Sequence, residues 1–165
     1  CDMVVASDTS KFGVPEVKRS LVAAAGGLFR LPQKLPKVVA MEMILTGDPI
    51  SASRAYELGF VNKVVPKGHS LEEAIKLAER ITCNAPLAVR EAKSATDAMF
   101  QASLSDKEAF DRSNFAMTYL SKTADFREGP RAFMEKRPAK WTGKSGKKAD
   151  DWLIEKLSEK QISKL

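Results

Sequence analysis

An α/β (α+β) chain is what this sequence predicts, with short strands and helices up to about residue 66 and almost unbroken helix from there to residue 137. Three observations carry that expectation. Apolar, β-branched residues cluster at Met3-Val4-Val5-Ala6 and return over Phe60–Val65, as short buried strands require. Between them, Gly47 and Gly59 fall where helices end in a left-handed cap. From Leu71 onward, Leu71, Ala74, Ile75, Ala78 and Ile81 recur at the spacing of one helix face.

The elements follow in order. Asp2–Ala6 reads as a strand. Lys11–Val17 reads as a second extended segment, because Pro15 biases Val14 away from helix. Gly26-Gly27 opens a helix interrupted near Pro32 and Pro36. Val38–Thr46 is helical through Val39, Met43 and Ile44, and Gly47 ends it. Ser51 is an N-cap for a short helix to Leu58, and Phe60–Val65 is the last strand. Ser70-Leu-Glu-Glu73 has the form of a capping box. Pro86 breaks the helix that follows, and helices over Leu87–Ala102 and Asp106–Leu120 succeed it. A last short helix follows Gly129, with Pro130 in its first turn. Lys144–Lys148 reads as a linker. Asp150–Leu157 reads as an amphipathic helix with acids at its positive end.

Composition narrows the function. The chain has 165 residues, 44% hydrophobic and 29% charged, ordinary for a globular protein and enough for one domain. No apolar run approaches the ~20 residues of a membrane helix, and no signal peptide is visible in the residues given. Cys1 and Cys83 lack metal-ligand spacing, and the single histidine, His69, sits in a polar loop. No metal site is therefore expected, and the cysteines are expected to be reduced. The net charge of +6 admits an anionic partner. The basic residues are scattered with few interleaved aromatics, so nucleic acid is the less favoured partner.

Four blocks stand out. They are Lys11-Phe-Gly-Val-Pro-Glu16-Val-Lys-Arg, Ala23-Ala-Ala-Gly26-Gly27-Leu-Phe-Arg-Leu-Pro, Thr46-Gly47-Asp-Pro followed by Tyr56-Glu-Leu-Gly59-Phe-Val-Asn62-Lys-Val-Val-Pro66, and Thr123-Ala-Asp125-Phe-Arg-Glu128-Gly129-Pro-Arg-Ala-Phe133-Met-Glu-Lys136-Arg-Pro138. In this order they resemble the second half of the crotonase superfamily, the enoyl-CoA hydratases and isomerases, from Cys1 to about Lys144. The resemblance implies the C-terminal part of a crotonase-like β-β-α spiral followed by a helical trimerisation region. Residues 1–66 would be the last turns of the spiral, 67–143 the oligomerisation helices, and 144–165 a linker and short amphipathic tail without a family counterpart. It also implies a homotrimer or dimer of trimers, an acyl-CoA substrate with coenzyme A entering only as part of it and no other cofactor, and a role in fatty acid metabolism. A cytoplasmic location is expected, or a mitochondrial one if a leader precedes residue 1.

Adding water to a 2-enoyl thioester needs carboxylates to move protons and donors to hold the enolate oxygen. By the resemblance, Glu16 matches the second of the family's two glutamates, while the first glutamate and the oxyanion donors belong to an N-terminal half that these residues do not contain. The 165 residues alone are therefore expected to be inactive. By its spacing alone, Glu16 reads rather as a loop carboxylate that pairs with Lys18 or Arg19. Gly26 and Gly27 either let backbone approach the acyl chain or allow tight helix packing. Phe133 and Lys136 match family positions that contact coenzyme A from a neighbouring subunit, Phe133 offering a stacking face and Lys136 a phosphate charge. Without the resemblance, Phe133 is the buried face of an amphipathic helix. Glu42 and Glu57 read as surface or ion-pair residues. Leu21-Val22 and Leu28-Phe29 replace the family's usual residues around the glycines and make the acyl end more apolar. Enoyl-CoA isomerase, acyl-CoA hydrolase, and a non-catalytic oligomerisation or RNA-binding module are the alternatives.

Overall fold

The computed structural model describes residues 1–102 and 104–162, without side-chain detail at 101–102 and 157–162. The chain forms two compact units, Cys1–Glu79 and Arg80–Leu165.

The first unit opens with β1 (Val5–Ser7), which pairs in parallel with β4 (Lys63–Val65), Ala6 opposite Val64. A short antiparallel pair joins β2 (Lys11–Phe12) to β3 (Ile50–Ser51). The helices α1 (Gly27–Lys34), α2 (Lys37–Thr46) and α3 (Ala52–Glu57) lie between, and α4 (Ser70–Thr82) follows. Small residues at Ala6, Ala52 and Ala55 let α3 approach the strands closely around the buried Val61. Phe12 and Phe60 meet edge to face with centroids 5.2 Å apart. A neighbouring cluster of Leu35, Ala40 and Met43 shares Ile50 and Phe60 with the first.

The capping expectations divide. Gly47 ends α2 at φ 67°, its N–H on the Met43 carbonyl, and Ser51 Oγ accepts from the Arg54 N–H at 3.1 Å. Ser70, by contrast, is the first helical residue of α4 and not its cap. The Glu73 N–H bonds the His69 carbonyl (3.1 Å), and the Glu73 carboxylate reaches Lys63 Nζ at 2.6 Å. A capping box does form at Ser105, which exchanges bonds with the backbone and side chain of Glu108. Pro32 lies inside α1, a continuous helix. The helix expected after Gly129 starts earlier, at Asp125, so Pro130 is internal to it.

The second unit contains α5 (Pro86–Ala102), α6 (Asp106–Leu120), α7 (Asp125–Met134) and α8 (Lys147–Ile162). Arg112 of α6 bonds Glu91 (3.2 Å) and Ser94 (2.8 Å) of α5, closing a helical hairpin. The tail is not a free arm. Trp152 of α8 packs between Phe115 and Tyr119 of α6, at 5.0 and 6.4 Å between centroids. The helix begins at Lys147, within the expected linker, and residues 163–165 of the tail lie outside the described residues. No helix among the described residues is long and apolar enough to cross a membrane.

Candidate active site

The extended segment expected over Lys11–Val17 stops at Phe12, and a 3-10 helix occupies Pro15–Arg19. Pro15 explains both halves of this result. It keeps Val14 extended at φ −130°, while its own fixed φ suits a first helical position. Glu16 therefore stands in the first turn of a tight helix instead of at a strand end. Ser20, at φ 58°, folds the chain back so that the Leu21 N–H reaches the Glu16 carbonyl at 3.1 Å.

The turn is braced from α2. Lys18 Nζ donates to Asp48 Oδ1 at 2.5 Å. A Cβ on Gly47 would lie 3.0 Å from Lys18 Cε and 3.2 Å from Val17 Cγ2, so the glycine brings the end of α2 close against the turn. Lys18 is thus committed to Asp48, and the ion pair open to Glu16 on sequence alone is not made there. Instead Glu16 Oε2 is shielded from solvent with no hydrogen-bond partner. Such an oxygen is costly and rare unless another group uses it.

Gly26 and Gly27 lie in the same unit as Glu16. Gly26 sits at φ 116°, open to glycine at little cost. A Cβ on Gly27 would fall 2.7 Å from Ala23 Cβ and 3.2 Å from Val14 Cγ1. Gly27 therefore packs α1 onto the residue that precedes the Pro15-Glu16 step, which favours the packing role for this glycine. Leu21, Val22, Leu28 and Phe29 remain exposed beside these elements, Leu21 at 62% and Phe29 at 58%. Glu57 pairs with Arg54 at 3.1 Å.

Phe133 and Lys136 belong to the second unit. Phe133 is 86% exposed, so it is not the buried face of α7. Lys136 stands at φ 51° just past the helix, its N–H on the Phe133 carbonyl. Sequence reasoning missed what holds this end in place. Asp125, buried, accepts from Thr142 N (2.9 Å), Thr142 Oγ1 (2.8 Å) and Gly143 N (2.8 Å). Glu128 accepts two bonds from Arg137 (2.6 and 3.0 Å) and one from the Lys140 N–H (2.7 Å), and these partners hold its carboxyl down at about 2. Trp141 donates to the Cys83 carbonyl at 2.9 Å, its ring over Gly129. The acids and Arg137 lie in the quoted closing block, but nothing in their spacing names their acceptors and donors. Cys1 and Cys83 are both free and exposed.

Short strands and helices around a glutamate with a shielded oxygen, followed by a helical unit, fit a crotonase-like α/β fold. The model of the enoyl-CoA hydratase/isomerase family matches residues 1–144, and the chain belongs to that family. It is 39% identical over 144 residues to a probable mitochondrial enoyl-CoA hydratase of Dictyostelium discoideum, covering 87% of this chain and 51% of that protein. It is 35% identical over 145 residues to the carnitinyl-CoA dehydratase of Proteus mirabilis, covering 87% and 56%. The crystal structure of enoyl-CoA hydratase from Mycobacterium tuberculosis H37Rv superimposes with a TM-score of 0.82 at 44% identity, over 87% of this chain and 56% of that one. The chain spans about half the length of the curated relatives it matches.

Proposed function

We propose that these residues form the C-terminal part of an enoyl-CoA hydratase, a lyase that adds water across the double bond of a 2-enoyl-CoA. In that reaction the water oxygen bonds the β-carbon, a proton reaches the α-carbon, and the thioester oxygen carries enolate charge in between. Glu16 is one of the two carboxylates that move the proton. The observation that carries the reading is its shielded, unbonded oxygen, held by a braced turn beside apolar side chains. The other glutamate and the oxyanion donors come from sequence outside residues 1–165. Coenzyme A is part of the substrate, and no other cofactor takes part.

Exposed Leu21, Val22, Leu28 and Phe29 suit an apolar acyl chain. Phe133 and Lys136 meet coenzyme A from a neighbouring subunit of a homotrimer or dimer of trimers. The exposure of Phe133 and of the α4 stripe at Leu71 and Ile75 supports such an assembly, since faces of this kind are covered in oligomers. The location is cytoplasmic, or mitochondrial with a leader.

The test joins the N-terminal half of the Mycobacterium tuberculosis hydratase to Cys1 and follows loss of enoyl thioester absorbance with a short 2-enoyl-CoA. Hydration by the chimera, silence of the 165 residues alone, and loss in Glu16→Gln with coenzyme A binding kept are expected. Equal rates for Glu16→Gln and its parent would overturn the assignment.

A further inference from the structure

Several cations of the second unit are held by acids. Arg112, Arg131 and Arg137 each pair with a carboxylate. Five others, Lys122, Arg127, Lys144, Lys147 and Lys148, converge instead on one pocket of about 570 Å³ that no acidic residue lines. Arg127, Lys144, Lys147 and Lys148 have no carboxylate partner among the described residues. Asp125 is engaged with Thr142 and Gly143, and Asp150 with Ser145 Oγ at 2.5 Å, while Asp151 of α8 lies outside the pocket lining. Like charges gathered in a concavity repel one another unless an anion joins them.

The convergence is built by the fold. Asp125 pins the Thr142-Gly143 step, and Gly143 and Gly146 turn the chain at φ 66° and 78°. Ala149, fully buried, anchors the start of α8 and so sets Lys147 and Lys148 at the rim. Lys122 is held 5.3 Å over the Trp152 ring. Much of the pocket therefore depends on residues 145–152, beyond the part of the chain that the family model covers.

We propose that this pocket binds a small phosphate-bearing anion of two or more charges, such as a diphosphate group. Its volume falls within the roughly 300–1,000 Å³ of small-molecule sites. Five cations exceed what a single carboxylate needs, and point charges on lysine match phosphate oxygens. No aromatic ring lines the pocket, so it lacks the stacking platform of a single-stranded nucleic acid site. The inference does not depend on Glu16 or on hydration.

The test is calorimetric titration of the full chain with sodium pyrophosphate at constant ionic strength. Saturable binding of one anion per chain is expected, weakened about tenfold or more in Lys144→Gln/Lys147→Gln/Lys148→Gln. A control of equal charge, Lys34→Gln/Lys67→Gln/Lys107→Gln, is expected to bind as the parent does. Equal weakening by both triple variants, or no saturable binding, would overturn the proposal. So would a short single-stranded RNA that binds more than about tenfold tighter than pyrophosphate at the same site. Should the first variant fold poorly, acetylation of the unmutated chain reads the same point. Pyrophosphate is expected to protect Lys144, Lys147 and Lys148 but not Lys107, and uniform reactivity counts against the site. Separate titrations with coenzyme A and ADP show which phosphate source the pocket prefers, and competition of both with pyrophosphate supports it.

Discussion

The turn that carries Glu16 and the helix end that carries Asp125 both hold a carboxylate out of solvent, and they hold it in opposite ways. Asp125 accepts three hydrogen bonds and Glu128 three more, so their lone pairs are spent on chain architecture. Glu16 keeps one shielded oxygen without a partner, although Lys18, two residues away, is available and turns to Asp48 instead. A saturated carboxylate fixes backbone. An unsaturated one that the surroundings decline to neutralise is open to a reactant.

The largest expected effect breaks or confirms that contrast directly. In the chimera, Glu16→Gln is expected to lower the hydration rate by about 10²–10⁴-fold, the range for a lost general acid or base. Its unfolding free energy in urea should stay within about 0.5 kcal/mol of the parent, because no hydrogen bond of Oε2 is lost. Asp125→Ala is the mirror case. It frees three donors around residues 142–143, and destabilisation by about 3 kcal/mol is expected, read by urea denaturation with tryptophan emission from Trp141 and Trp152. If Glu16→Gln destabilised as much as Asp125→Ala, the distinction between the two sites would collapse.

Gly27→Ala ranks next. Its Cβ would lie 2.7 Å from Ala23 Cβ, which must displace α1 or the Ala23 segment, and 3.2 Å from Val14 Cγ1, which must give as well. A cost of about 1–3 kcal/mol is expected, with the rate of the chimera falling because the Glu16 turn shifts with Val14. Unchanged stability and rate would show that Gly27 does not set the position of the turn.

Much of this was legible in the sequence where one residue carries one local preference. Gly47 and Ser51 cap as expected, because a left-handed cap and an N-cap each act within a few residues, and the helix over Asp106–Leu120 has the expected bounds. Pro15 and Pro130 misled. Proline suits an extended neighbour and a helical first turn alike, and at Pro130 tertiary bonds from residues 140–143 hold a helix through it. Ser70 misled in another way, since Lys63 outcompeted it for the Glu73 side chain. The family blocks single out Glu16, Gly26, Gly27, Phe133 and Lys136 as candidates. They did not show that Lys18 turns away from Glu16, because that depends on Asp48, thirty residues on.

The smallest expected effect sharpens the architectural side of the comparison. Glu128 is held at about 2 by Arg137 and the Lys140 N–H, against 4.5 in the unfolded chain. A carboxyl whose pKa is lower when folded binds protons more readily when unfolded, so acid favours unfolding. Its stabilising contribution is complete above about pH 4.5 and is lost as pH falls toward 2. Asp125 is shifted in the same direction: burial opposes the shift, and the Thr142 and Gly143 donors outweigh it. Stability measured between pH 5 and 2.5 should therefore fall more steeply for the parent than for Glu128→Gln, which has no carboxyl to titrate at that site. Parallel curves would mean that the Arg137 pair is screened by solvent and that Asp125 alone secures the return of residues 140–143 onto α7.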